Sequence, residues 1–166
     1  MARRWSRVFP CQLQSRPAQP KLPKGLVADS PAGIEAMLGT ADVVLIVDGY
    51  NVAHRAWSDA TAADQRERLG IAMTALSRRA GCDVVLVFDG DGSGPLPPLR
   101  RGGVRVLFSD AGQEADEVVL REVEDRPRRI PVVVASSDAW VREHAAQQGA
   151  VVIGADALTK VLRPGG

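Results

Sequence analysis

Three apolar runs rich in β-branched residues, each leading to an aspartate, constrain this chain more than any other feature. Val43-Val44-Leu45-Ile46-Val47 runs into Asp48. Val84-Val85-Leu86-Val87-Phe88 runs into Asp89. Val132-Val133-Val134-Ala135 is followed by Ser136, Ser137 and Asp138. A run that is apolar at every position, not at alternate ones, belongs to a strand buried on both faces. That is the condition of a parallel sheet between helices. The stretches between the runs have helical spacing. In 62–80, Leu69, Ala72, Met73, Leu76 and Ala80 share one face, and Arg66, Glu67, Arg68, Arg78 and Arg79 fill the other. Strands alternating with helices predict an α/β fold.

Five strands are expected, at 43–47, 84–88, 104–108, 130–135 and 150–153. Helices are expected at 62–80, 113–125, 137–148 and 156–162, with Gly81 and Gly149 as C-terminal stops. Ser30-Pro31 reads as an N-cap and first helical residue, starting a short helix that ends near Leu38. Asp48-Gly49-Tyr50-Asn51 reads as a turn, and 89–103 as a loop with five glycines and three prolines. The 166 residues suffice for one domain with a sizeable core. Three segments follow: a basic, disordered tail over 1–24, a lead-in with a short helix over 25–41, and the domain over 42–166.

Charge separates the tail from the rest. Residues 1–24 carry six basic groups and no acidic one, so the remainder is net −5 although the chain totals +1. A basic arm binds RNA or ribosomes by counterion release, or is simply solvated. No apolar stretch approaches the ~20 residues that cross a bilayer, so no membrane partner is expected. The basic N-terminus lacks the apolar core of a signal peptide. Cys11 and Cys82 lie far apart and form no CxxC, which fits reduced thiols in a cytoplasmic protein.

If the runs are parallel strands, Asp48, Asp89 and Asp138 emerge at one edge of the sheet. Sites of open α/β sheets form at that carboxyl edge, where the strand order reverses. Asp116, in Glu114-Ala115-Asp116-Glu117, opens a helix on the side of Val119, Leu120 and Val123, so it points to the same edge. Glu117 falls on the flank. Clustered carboxylates are costly without a cation, and hard oxygen donors suit Mg²⁺ or Mn²⁺. Such ions activate water and stabilise a leaving oxyanion, which is phosphodiester chemistry. Taken singly, each carboxylate also has a structural reading, as a turn residue or a complement to a helix dipole.

Around this set, Asn51 is placed to bond a phosphate, a metal-bound water or Asp48. Ser136 and Ser137 cap the following helix or support Asp138. Tyr50 is either a base-stacking or a packing residue. Arg100, Arg101 and Arg105 are positioned to grip a nucleic-acid backbone, or form a solvated face. No GxxxxGK[ST] is present, and Asp89-Gly90-Asp91-Gly92 lacks the closing glutamate of a calcium loop.

Val47-Asp48-Gly49-Tyr50-Asn51-Val52, Val87-Phe88-Asp89-Gly90, Glu114-Ala115-Asp116-Glu117 and Ala135-Ser136-Ser137-Asp138 together resemble the NYN domain family, in its YacP-like branch of the PIN-like nucleases. The resemblance spans about Leu22 to Leu162. Leu22-Pro23-Lys24-Gly25-Leu26 and Asp29-Ser30-Pro31 look like the lead-in of actinobacterial members. It implies a PIN-like three-layer fold with a central parallel five-stranded sheet in the order 3-2-1-4-5. It implies a Mg²⁺- or Mn²⁺-dependent endoribonuclease with Asp48, Asp89, Asp116 and Asp138 in the acidic site. Asp48 and Asp138 are then the main metal ligands, and Glu114 and Glu117 reserve ligands. YacP-type members are associated with messenger RNA cleavage in a ribosomal context. The chain departs from the family in its Gly- and Pro-rich loop after the second strand and in its short C-terminus. A non-catalytic RNA- or ribosome-binding module and a DNA-directed nuclease are the competing expectations.

Overall fold

The computed structural model describes residues 16–91 and 99–162. Six strands form one sheet: β1 (Val44–Asp48), β2 (Asp83–Phe88), β3 (Leu99–Arg101), β4 (Val104–Phe108), β5 (Val132–Ala135) and β6 (Val151–Ile153). Their order is β3-β4-β2-β1-β5-β6. The five parallel strands have the expected order. β1 lies between β2 and β5, with Asp48 opposite Val87 and Val47 opposite Ala135. The chain winds outward from β1 in both directions, so the switch point falls beside Asp48.

Six helices are described: α1 (Pro31–Leu38), α2 (Gly49–Ala56), α3 (Ala62–Ala80), α4 (Ala115–Glu124), α5 (Ala139–Gln147) and α6 (Ala155–Leu162). Successive strand residues fill opposite cores, which is why the runs are apolar throughout. Leu45, Val47, Leu86 and Phe88 pack under α1, α2, α3 and α6. Val44, Ile46, Val85 and Val87 pack under α4 and α5. α3 has the expected bounds. Thr61 caps its start by accepting from the Asp64 N–H at 3.1 Å, and Gly81 closes it at φ +75°.

Three expectations need correction. The Asp48-Gly49-Tyr50-Asn51 turn is the beginning of α2. Asp-Gly reads as a turn, but Val52, Ala53 and Ala56 bury one face and carry the chain into a helix. The loop expected over 89–103 contains β3, antiparallel to β4 with Arg101 opposite Val104. Gly102-Gly103 is the two-residue link, with Gly102 at φ +56°. The central part of that Gly- and Pro-rich loop lies outside the described residues. Finally, the expected disorder does not hold for residues 16–24. The Ala18 N–H donates to the Arg128 carbonyl at 2.7 Å, Gln19 Nε2 to the Gly149 carbonyl at 2.9 Å, and the Lys21 N–H to Thr40 Oγ1 at 2.7 Å. Residues 1–15, with Cys11, lie outside the described residues. Cys82 is buried beside Asp83, and burial pushes its thiol up to about 11, an inert packing residue.

Candidate active site

The carboxyl ends of β1, β2 and β5 and the first turn of α4 meet at one edge of the sheet. Asp48 ends β1 and is 7% exposed. Its carboxyl is pushed from 3.8 up to about 6, chiefly by burial and further by the charges of Asp116 and Asp89. The Ser136 hydroxyl, donating to Oδ2 at 3.1 Å, and the Asn51 backbone oppose that rise. Asp116, half-buried on α4, is also raised, first by burial and then by Asp138, Glu114 and Asp89. Each of the four aspartates therefore lies within electrostatic reach of at least one other, at a single edge.

Asp89, although exposed, is held in place. Its Oδ1 accepts from the Ala115 N–H at 2.8 Å and from the Ser109 hydroxyl at 3.4 Å, so it satisfies an amide at the start of α4. Gly90 is pinned by the same Ser109, whose Oγ accepts from its N–H at 3.1 Å. The Gly- and Pro-rich loop therefore begins only after a fixed aspartate. Asp138 caps α5, its Oδ1 accepting from the Val141 N–H at 3.0 Å, in place of the expected Ser136 or Ser137. Ser136, fully buried, accepts from the Asp138 N–H while donating to Asp48. One hydroxyl thus locks the two strand-end aspartates together. Ser136→Ala should make Asp48 titrate above its present value in metal-free protein, followed by carboxyl NMR. An unchanged midpoint would show that the hydroxyl does not carry that hydrogen bond.

The remaining expected site residues divide sharply. Asn51 Oδ1 accepts from the Ser137 N–H at 3.0 Å, tying the α2 start to the β5 end. Ser137 Oγ accepts from the Ala155 N–H at 3.0 Å, so it supports α6 and not Asp138. Tyr50 is half-buried, edge-on to Phe88 at 5.0 Å, and its hydroxyl accepts from Arg66 Nη1 at 3.1 Å; its ring packs. Glu114 sits at the N-cap of α4 next to Asp116, and Glu117 is exposed in its first turn. The three arginines do not act as a set. Arg105 and Arg126 both pair with Glu122 of α4, and Arg100, opposite Arg105, lies on that same side. Arg101 lies on the other face of β3. The sequence reading missed Ser136 as the shared anchor, although two serines directly before Asp138 marked the position.

Among the described residues, no three carboxylates, histidines or cysteines stand close enough to grip one bare ion. The donor set nonetheless suits Mg²⁺ or Mn²⁺: it is all oxygen, partly buried and mutually repelling. Mg²⁺ keeps several waters and takes few direct carboxylates, so it tolerates this spacing. No described helix is long and apolar enough to cross a membrane.

Comparison with known proteins bears on the family and the fold. The profile of the YacP-like NYN domain matches residues 45–164. No curated protein matches the chain. The crystal structure of Rae1 (YacP) from Bacillus subtilis is similar, with 27% identity and a TM-score of 0.61, over 72% of this chain and 72% of that one. A tryptophan-to-leucine mutant of the same Bacillus subtilis protein gives 25% identity and a TM-score of 0.60, over 71% of this chain and 74% of that one. The chain belongs to the YacP-like NYN domain family, of the PIN-like nuclease type.

Proposed function

We propose that the protein is a metal-dependent endoribonuclease that hydrolyses RNA phosphodiester bonds at the carboxyl edge of its sheet. The observation that carries this reading is the buried Asp48, tied through the Ser136 hydroxyl to Asp138 and lying within electrostatic reach of Asp116 and Asp89. A bound Mg²⁺ or Mn²⁺ would supply an activated water and neutralise charge on the leaving oxygen. Asp48 and Asp138 would hold the principal ion. Ser136 ties the two together, donating to Asp48 Oδ2 and accepting from the Asp138 N–H, and the Val141 N–H fixes the Asp138 carboxylate through Oδ1. Asp116 completes the set, directly or through water. Asp89, fixed by the Ala115 N–H, orients the attacking water or serves a second ion. Glu114 and Glu117 stand in reserve. Attack by water leaves 5′-phosphate and 3′-hydroxyl ends. The family resemblance puts forward messenger RNA in a ribosomal context as the substrate.

The test is cleavage of an end-labelled single-stranded RNA by purified protein in Mn²⁺ or Mg²⁺, with EDTA, Asp48→Asn and a matched DNA strand as comparisons. Cleavage should require the cation, fall by at least about a thousandfold in Asp48→Asn, and favour RNA. Asp48→Asn cutting at the parent rate overturns the assignment. RNA binding that EDTA leaves unchanged, with no cleavage in any divalent ion, would point to a binding module instead.

A further inference from the structure

The side of the sheet under α3 carries a groove that the acidic edge does not use. It has a volume of about 260 Å³ and lies between α3 and the β3–β4 hairpin. That is below the scale of drug-sized pockets, which begin near ~300 Å³, and small enough for one planar ring. Phe88, Val106, Phe108 and Leu99 form its apolar lining, and Arg66 and Arg101 its basic rim, with Glu67 at one corner. Leu99 is 54% exposed, although it is a large apolar side chain on a strand.

The aromatic lining sits at the carboxyl ends of its strands, the end of the sheet that also carries the aspartates. Phe88 pairs with Phe108 in register at the ends of β2 and β4, their rings stacked at 6.0 Å. Phe88 directly precedes Asp89. Tyr50, two residues after Asp48, packs on Phe88 and receives the Arg66 hydrogen bond. Arg66 also lies over the half-exposed Phe108 ring, 6.0 Å from its centroid. Arg55, Arg79, Arg105 and Arg126 are held in ion pairs with carboxylates, whereas the described contacts of Arg66 are the Tyr50 hydroxyl and the Phe108 ring. In a protein whose residues 25–166 are net −5, two arginines beside the partly exposed Phe108, one of them lying over its ring, suit an anion that carries a ring able to take that arginine's place.

We propose that this groove is a nucleobase subsite, stacking one unpaired base of single-stranded RNA against Phe108 while Arg66 and Arg101 hold an adjoining phosphate. The proposal rests on the nuclease reading, because that reading supplies the strand that crosses the acidic edge. A base inside a duplex cannot reach such a face, so the subsite selects unpaired RNA. Stacking is tolerant of base identity, so the groove positions the strand and does not read its sequence.

The experiment uses the full chain with Asp48→Asn, to keep RNA intact, and 12-nucleotide oligoadenylates with 2-aminopurine at each position in turn. Binding is followed by anisotropy, and stacking by quenching of 2-aminopurine fluorescence. At least one position should be quenched. Adding Phe108→Leu should abolish that quenching and weaken binding about tenfold. Arg101→Ala, an exposed change, should leave the quenching in place but reduce the salt dependence of binding by about one phosphate contact. Melting temperatures establish that each variant is folded. If both folded variants keep parental quenching, affinity and salt dependence while the unsubstituted protein cleaves RNA, the groove proposal alone is overturned. If the Asp48→Asn protein binds no RNA and the unsubstituted protein cleaves none, both readings fall.

Discussion

Asp48→Asn, the change expected to stop cleavage, should also make the metal-free protein melt higher than its parent. Asp48 is ionised at neutral pH in a place that disfavours the charge, its pKa lifted from 3.8 to about 6, first by burial. For an acid raised on folding, the native state holds the proton more tightly than the unfolded chain does. Stability is therefore greatest below about pH 4, declines between about pH 4 and 6, and stays at the lower level above. A rise of that size corresponds to about 3 kcal/mol at most at pH 7.5. For a chain of this length that is on the order of 5–10 °C. Asparagine keeps the shape and the Ser136 partner and carries no charge. In EDTA at pH 7.5 the variant should melt above the parent by roughly that margin, and the gap should close as pH falls toward 4. Saturating Mg²⁺ should narrow the gap from the other side, by stabilising the parent more. Equal melting temperatures at pH 7.5, or a gap independent of pH, would show that Asp48 does not bear this cost.

The second large effect belongs to Gly49, the first residue of α2. A β-carbon here would run into the Phe88 ring and stand 2.7 Å from the Val87 carbonyl oxygen. Both obstacles belong to β2, in the middle of the sheet, and neither yields cheaply. Gly49→Ala should cost roughly 1–3 kcal/mol or more, the usual range for overpacking a core. It should also displace Asp48, the residue before it, and lower cleavage by more than tenfold. Gly70→Ala makes the contrast. Gly70 lies within α3 with open space around its α-carbon, and alanine favours a helix interior over glycine by about 0.8–1 kcal/mol. That variant should melt at or above the parent. A Gly49→Ala protein as stable as Gly70→Ala would mean that α2 does not press on β2 as described.

The parallel core was legible because its strands are apolar at every position, and only one architecture buries both faces of a strand. The order of its five parallel strands came with the family resemblance. Asp116 stood out among its acidic neighbours through the helical spacing to Val119, Leu120 and Val123. α2 was hidden because local chemistry and tertiary packing disagree over Asp48-Gly49. The dipeptide favours a turn, while burial of Val52, Ala53 and Ala56 stabilises a helix. β3 was hidden by its length. Three residues, two of them arginine, show no hydrophobic period, and only Gly102-Gly103 announced a hairpin. The support Ser136 gives Asp138 was within local reach, but its bond to Asp48 was not. It joins residues on two strands 88 positions apart in sequence, and nothing short of the strand order sets Ser136 beside Asp48.

The outermost strand on the hairpin side, β3, is three residues long and carries Arg100 and Arg101. A sheet normally invites a second molecule at its margin, since every exposed backbone amide and carbonyl there seeks a partner. Here the invitation is brief and repellent: two copies meeting margin to margin would bring four guanidinium groups together over a few hydrogen bonds. The strand thus guards this margin of the sheet against fibrous self-association, and replacing both arginines by valine should raise the tendency of concentrated protein to form β-aggregates.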